Sequence, residues 1–483
     1  MKVLIVSSEL SPIAKEGGLG DAMAGLAPAL DALGCEVKVA IPGYGHVLES
    51  CPGAELITEN VRVSMGYFNM TADLRKVEPA PGVEAYMVCN ESLFGRHGVY
   101  GDNDGLFMDN HKRYIFFSKS IPALCSASRY IPDVILANDW QTGLIPALMD
   151  QGHMPQTASV FVIHNIGYLG YVPPEDASML GLSNTYLSYE GMEFYGQLSL
   201  LKAGIAYANK LVTVSPTYSR EIQTTEQGAG LDGLMRKRSQ DLAGILNGVD
   251  FQVWSPETDK HIPCNYSTAD MAGKGKCKKA LLDEMGMDQK LMNAPVAGMV
   301  TRLFSQKGIE LVIGAVPEIV ENGMGFILLG NGEESYARDL RRLAQAYPGR
   351  FRFEEAFNEP LAHRIMAGAD MLCVPSLYEP CGLTQMYALQ YGTIPVARAT
   401  GGLADTVRDI KAFAGKGNGF TFDAFSPGAF ANAMDRAGRY YKNRKAWSAL
   451  TAKAMASAGV FTWDMAAEQY YSIFERAVRA RRL

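Results

Sequence analysis

The chain predicts an α/β protein built as two doubly wound halves, each a mostly parallel sheet with helices on both faces, the halves facing a cleft. Three observations carry this expectation. Short apolar runs alternate with amphipathic helical stretches through both halves of the sequence, the pattern of parallel strands covered on each side. The 483 residues exceed a single domain of about 150 residues. Glycine turns recur just after the apolar runs, at Gly17-Gly18, Gly382 and Gly401-Gly402, where open α/β sheets bind their ligands.

In the first half, strands read near Val3–Ser8, Glu36–Ile41, Asp133–Asn138, Ser159–His164 and Lys210–Ser215, with helices near Gly20–Leu33, His111–Ser126, Thr142–Asp150 and Ser199–Asn209. Residues 56–90 differ: Val61–Met65 and Glu84–Cys89 read as an antiparallel insertion. The second half opens after Asn247-Gly-Val-Asp250. Strands follow at Val296–Thr301, Gly325–Leu329, Arg350–Glu354, Met371–Pro375, Ile394–Ala397 and Gly419–Phe422, with helices such as Ile309–Glu321 and Ser335–Ala346 between them. The polar stretch 255–293 reads as a hinge followed by a helix. The last helix, Trp463–Arg479, repeats Met465, Ala466, Tyr470, Ile473, Phe474 and Ala477 at helical spacing.

The composition excludes several classes. With 48% hydrophobic and 20% charged residues and a net charge of −6, the chain is no general binder of nucleic acid or of a membrane surface, so an anionic ligand needs a local cluster of cations. The eight cysteines are scattered without a C-x-x-C pair, as for reduced thiols in a cytoplasmic protein. The apolar start Met1–Ser7 is too short for a signal segment, and no run reaches the length of a membrane span.

Six motifs follow predicted strands, each with a bland reading beside the chemical one. Lys15-Glu-Gly-Gly-Leu-Gly-Asp21 opens a helix, where backbone N–H groups and the helix dipole suit a phosphate; it also reads as a turn packing helix on strand. Asn138-Asp139-Trp140 pairs a carboxylate with an indole, which suits a sugar, or else is a helix cap beside a core Trp. His164-Asn165 begins a glycine loop, or is structural. Arg302 and Lys307 lie five apart before a helix and can take the charge of a departing diphosphate, or are solvated surface charges. In Glu379-Pro-Cys381-Gly382-Leu383-Thr384, the Glu can face a developing positive charge while the following helix offers free N–H groups; Cys381 has no evident base or metal partner and reads as structural. Thr400-Gly-Gly is a further turn. Asp102-Asn103-Asp104 has a D-x-D spacing that some metal-dependent glycosyltransferases use, but no strong strand precedes it, so no metal is expected. The dinucleotide and Walker phosphate patterns are missing.

Together these motifs resemble the bacterial glycogen synthase and plant starch synthase family, retaining glucosyltransferases of the GT-B fold with two Rossmann-like domains. The similarity runs from Lys15 to Asp405 and includes Tyr195-Gly-Gln-Leu-Ser-Leu-Leu-Lys202-Ala-Gly204 and Val214-Ser-Pro-Thr-Tyr218. It implies an acceptor-side domain over 1–246, a nucleotide-sugar domain over 247–460, and a segment 461–483 returning to the first. It implies glucose transfer from ADP-glucose, or UDP-glucose, to an α-1,4-glucan, with no cofactor and no metal. Arg302 and Lys307 would hold the diphosphate with Lys15, the N–H groups of Gly18, Leu383 and Thr384, and the Cys381-Gly382 turn. Glu379 would bind the glucose hydroxyls and support the transition state, and His164 would hold the ring. Asp139 would act near the acceptor hydroxyl, with Asp21, Trp140 and Asn165 on the acceptor side. Asn247 would line the glucose site, and Phe357 stands where the family often stacks a Tyr on the base. Glu16 stands where the family commonly has Thr or Ser, and Tyr387 where the wider superfamily has a second Glu. Lobe closure hinged near residues 245–255 is expected to exclude water. A homo-oligomer is compatible with the sequence, which leaves the donor's base and the acceptor length open. The rival readings are a sucrose synthase-like or trehalose-forming enzyme of the same fold, a silent glucan-binding protein, and a nicotinamide-dependent oxidoreductase.

Overall fold

The computed structural model describes residues 1–80, 82–102, 105–413 and 415–482. The chain forms two compact units, Met1–Gly248 with Trp463–Leu483, and Val249–Thr462.

The first unit is built on a nine-stranded sheet of β1 (Lys2–Val6), β2 (Glu36–Pro42), β3 (Glu55–Met65), β4 (Phe68–Ala80), β5 (Val83–Cys89), β6 (Val134–Asn138), β7 (Ala158–Ile163), β8 (Lys210–Thr213) and β9 (Leu242–Gly244), in the order β9-β8-β7-β6-β1-β2-β5-β4-β3. Val3 to Val6 and Val134 to Ala137 are wholly buried because helices cover both faces, which is why these strands read as unbroken apolar runs. The parallel order turns back at β1, which pairs with β2 on one side and β6 on the other. Such a reversal is a topological switch point, and the loops that leave these strands at their carboxyl ends are the ones placed to hold a ligand. Helix α1 (Gly18–Ala32) follows β1 directly. The final helix, Trp463–Arg482, packs on α1 and β7.

The insertion expected over 56–90 is antiparallel only in part. β3, β4 and β5 pair antiparallel in turn, and β5 on its other side joins the central sheet parallel to β2, from Lys38↔Glu84 to Pro42↔Val88. Its interior residues Ala85 to Val88 are buried, and apolar content alone does not say which neighbour a strand will take. The helix expected from Thr142 begins at Leu144, after a 3-10 turn over Trp140–Thr142.

The second unit holds six parallel strands, β10 (Val296–Val300), β11 (Gly325–Leu329), β12 (Phe351–Glu354), β13 (Met371–Val374), β14 (Ile394–Arg398) and β15 (Phe420–Phe422), in the order β12-β11-β10-β13-β14-β15. Here the reversal falls between β10 and β13. Strand alternation feeds two cores: Phe326 and Leu328 pack with Val312, Val316 and Phe430, while Ile327 and Leu329 pack with Leu281, Leu291 and Ile365. The stretch after residue 254, read as a hinge, is pinned inside this unit. Asp259 accepts hydrogen bonds from Tyr391 Oη (2.5 Å) and His363 Nδ1 (2.8 Å), and Trp254 stacks on the His363 and Tyr387 rings at 3.8 and 4.1 Å. No helix among the described residues is long and apolar enough to cross a membrane.

Candidate active site

In the first unit the loops after β1, β6 and β7 carry the expected residues. The loop after β1 is organised by a residue the sequence did not single out. Glu9 is 3% exposed, and its Oε2 accepts the backbone N–H groups of Glu16 and Gly17, both at 2.9 Å, while Oε1 accepts Tyr100 Oη at 2.7 Å. The loop therefore uses the backbone N–H of Glu16. Lys15 is exposed and pairs with Asp21 Oδ1 at 2.8 Å, in the first turn of α1 where an acidic side chain suits the helix dipole. Gly18 is exposed at the same helix end.

Asp139 directly follows β6 in a backbone conformation that residues with a side chain seldom adopt, φ 56° and ψ −176°. Its carboxylate holds it there, because Oδ1 accepts the N–H groups of His164 (2.7 Å) and Asn165 (3.3 Å). Desolvation pushes the Asp139 carboxyl up to about 7 despite those two bonds, and the negative Glu9 adds to the rise. The loops after β1 and β6 thus share one electrostatic neighbourhood. His164 sits beside it with its ring lowered to about 4 by desolvation, so it is neutral near pH 7. Its tautomer follows from Asn138. The Asn138 amide nitrogen donates to the Val6 and Leu136 carbonyls, both at 3.1 Å, which turns Oδ1 toward His164 Nε2 at 2.9 Å. Nε2 therefore donates, and Nδ1 keeps its lone pair for a hydroxyl. Trp140 is half-buried, edge-on to Tyr114 at 5.1 Å, and Asn165 Oδ1 accepts Gly167 N–H at 2.9 Å. Asn247 is buried at the end of this unit, beyond β9.

In the second unit the loops leaving β10 and β13 meet. Lys307 Nζ donates to Glu379 Oε2 at 2.7 Å, and Ser376 Oγ donates to the same oxygen at 2.9 Å. Glu379 is 7% exposed, so both partners answer a carboxylate largely removed from water. Among the described residues nothing bonds Oε1, which is left to accept. Leu377 N–H donates to the Gln306 carbonyl (2.8 Å) and Gln306 Nε2 to the Tyr378 carbonyl (3.2 Å), tying the two loops together. The Thr400-Gly-Gly turn after β14 is the third wall. Gly402 N–H donates to the Glu379 carbonyl at 3.0 Å, and a Cβ on Gly401 would fall 2.0 Å from that carbonyl, so only glycine fits. Arg302 lies exposed in the Lys307 loop, with its guanidinium 5.5 Å from the Phe304 ring. Cys381 is buried, Gly382 has φ 71°, and Leu383 precedes the short helix Thr384–Gln390. Phe357 follows β12, on the far side of the switch point, and is 85% exposed.

The sequence therefore missed Glu9, Asn138 as the group that orients His164, and Ser376. Asn138 and Ser376 stand beside residues that the motifs singled out and Glu9 in no motif, but the hydrogen bonds that give all three their parts arise only on folding. Asn103 and Asp104 of the D-x-D stretch lie outside the described residues; among those described, no group of three or more His, Cys, Asp or Glu is gathered as a metal site.

Comparison with known proteins defines the class. A family model for the starch synthase catalytic domain matches residues 2–237, and one for group 1 glycosyl transferases matches 287–453. The fold matches the catalytic domain of starch synthase IV from Arabidopsis thaliana bound to ADP and acarbose, with a TM-score of 0.88 and 31% identity over 99% of each chain. It also matches a sucrose-phosphate synthase from Thermosynechococcus elongatus, at 17% identity and a TM-score of 0.61, a likeness of fold alone. Two Rossmann-like halves of this kind define a glucosyltransferase of the GT-B class. Among relatives, a glycogen synthase of Desulfatibacillum aliphaticivorans is 99% identical over the whole of both chains. One from Anaeromyxobacter dehalogenans is 42% identical over 98% of this chain and 99% of its own. The chain belongs to the glycogen and starch synthase family.

Proposed function

We propose that the enzyme transfers glucose from ADP-glucose, UDP-glucose being the alternative donor, to the non-reducing end of an α-1,4-glucan, keeping the α configuration. The observation that carries this reading is the Lys307–Glu379 pair with Arg302 in the same loop, at the point where the parallel order of the second sheet reverses. Breaking the bond between C1 and the diphosphate leaves negative charge on phosphate and positive charge on the sugar ring. Arg302 and Lys307 answer the first, and Glu379, through Oε1, binds a glucose hydroxyl and answers the second. The Cys381-Gly382 turn and the N–H groups of Leu383 and Thr384 take phosphate oxygens, Lys15 and Gly18 add cationic and N–H groups, and Phe357 offers its exposed ring to the base. On the first unit, His164 accepts a hydrogen bond from a sugar hydroxyl through Nδ1 and so orients the ring. Asp139 acts beside the acceptor hydroxyl that forms the new bond, and Trp140 covers a sugar face with Asp21 and Asn165 near it. Asn247 lines the glucose site. No step needs a metal or a cofactor, and the reaction is assigned to the cytoplasm.

The bound ADP and acarbose of the starch synthase IV relative support this reading. A panel of ADP-, UDP- and GDP-glucose with glycogen, following labelled glucose into polymer, tests it. The expected result is incorporation greatest from ADP-glucose; no incorporation from any donor would refute it.

A further inference from the structure

The turn after Glu379 packs on a buried polar side chain that the proposed transfer leaves without a role. Gln385, the second residue of the short helix Thr384–Gln390, is 0% exposed. Its Nε2 donates back to the carbonyls of Cys381 (3.2 Å) and Gly382 (2.9 Å), and to Thr406 Oγ1 (3.2 Å) at the end of the helix Gly401–Thr406. Acceptors gathered around one end of the amide fix which end faces the turn. Oε1 has no partner among the described residues, so burying this amide carries a cost that an apolar chain of equal length would avoid. What the amide supplies in return is its N–H groups. Gly382 lets the side chain reach back, because φ there is 71° and a Cβ would lie 2.5 Å from Gln385 Oε1.

These bonds decide which way the backbone N–H groups of the turn point. In a trans peptide the N–H lies opposite the preceding carbonyl. The links from Cys381 to Gly382 and from Gly382 to Leu383 are both trans. With the two carbonyls drawn to Gln385, the N–H groups of Gly382 and Leu383 face away from it, and no acceptor among the described residues takes either. The carbonyls just before them are drawn off as well, since the Gly402 N–H donates to those of Glu379 (3.0 Å) and Pro380 (3.1 Å). The carbonyls of residues 379–382 are thus all occupied, by one glycine N–H and one glutamine. Successive N–H groups left open in this manner make a concavity that suits an anion. A carbonyl released from Gln385 is free to rotate with its peptide plane, which would bring an oxygen to the place where an N–H stood.

We infer that Gln385 is a positioning residue for the donor: by holding the Cys381 and Gly382 carbonyls it keeps the N–H groups of the turn aimed at the diphosphate. The inference rests on the reading of this turn as the one that takes phosphate oxygens. A phosphate held alike before and during bond breaking shows in KM rather than in the maximal rate. Gln385→Met keeps the length of the side chain and loses both N–H groups. Its KM for ADP-glucose and its Kd for ADP should rise about tenfold, the scale of one hydrogen bond to a charged group. The maximal rate should stay within about threefold of the parent's, and KM for glycogen should not move. With ADP saturating, amide exchange in the variant should still slow over residues 301–308 but no longer over 376–384, a split that general loosening of the unit would not give. Gln385→Asn, short by one methylene, draws the amide back from the carbonyls; it should show the same split and serves if the Met variant does not fold. An unchanged KM for ADP-glucose, a KM for glycogen that rises in step, or protection lost over both segments together would overturn the inference. A parent enzyme that binds ADP without protection over 376–384, or binds none, would overturn the reading of the turn itself, and this role with it.

Discussion

Asp139 and His164 are neighbours whose proton affinities move in opposite directions. Asp139 holds its proton more tightly in the fold, at about 7 against an ordinary 3.8, so its contribution to stability is full below about pH 4 and is lost as pH rises through about 7. His164, at about 4 against 6.5, contributes fully above about pH 6.5 and loses its share as pH falls toward about 4. The two effects offset each other over that window. Asp139→Asn removes the first. Asn keeps an oxygen for the His164 and Asn165 N–H groups and tolerates positive φ. The difference in melting temperature, variant minus parent, should climb from about pH 4 to about pH 7 and level off above; a constant difference would contradict the burial assigned to this carboxyl. Ser376 is a positioning residue. Ser376→Ala removes one of the two bonds to Glu379 Oε2 and should lower the maximal rate by about tenfold or less, with little change in KM for the donor, as read from saturation kinetics.

The elements legible in the sequence were those whose local pattern carries their fate. The central strands are apolar throughout because both faces are covered, and helix Ile309–Glu321 matched its expected bounds because its apolar stripe is continuous. What stayed hidden depended on distant partners. β9, Leu-Ala-Gly at a sheet edge, is short and only half-buried, so it carries no strand signal. The side that β5 takes, the Glu9 bonds to the glycine loop and the anchoring of Asp259 are likewise products of tertiary contact. The positive φ of Tyr195 was invisible for another reason, since Tyr-Gly is not a turn pair that propensity favours. The final helix buries Ala466, Ala467, Tyr470, Ile473, Phe474 and Ala477 against the first unit, whereas Met465, expected in the same stripe, lies in the first turn and is 49% exposed. Gly25 on α1 lies so close to Trp463 that a Cβ would fall 2.1 Å from the indole nitrogen. Phe474→Ala, which empties a fully buried site, should cost about 3–5 kcal/mol of stability in denaturant unfolding. A loss below about 1 kcal/mol would mean that this helix is not integral to the unit.

At the scale of the molecule, the same plan is used twice. Each unit reverses its parallel order once, and each places its polar residues in the loops leaving the strands at that reversal: β1 and β6 in the first unit, β10 and β13 in the second. A diphosphate held by the second unit should quiet its loops. With ADP at about a hundred times its Kd, amide hydrogen exchange should slow over residues 301–308 and 376–384, a stabilisation of about 2.7 kcal/mol where exchange requires release of ADP. Unchanged exchange there would place the nucleotide elsewhere. The most direct test of the charge-neutralising role is the maximal rate of label transfer from ADP-glucose to glycogen by Lys307→Ala at saturating donor. The account predicts a fall of about 10²–10³; a rate close to that of the parent enzyme would contradict it.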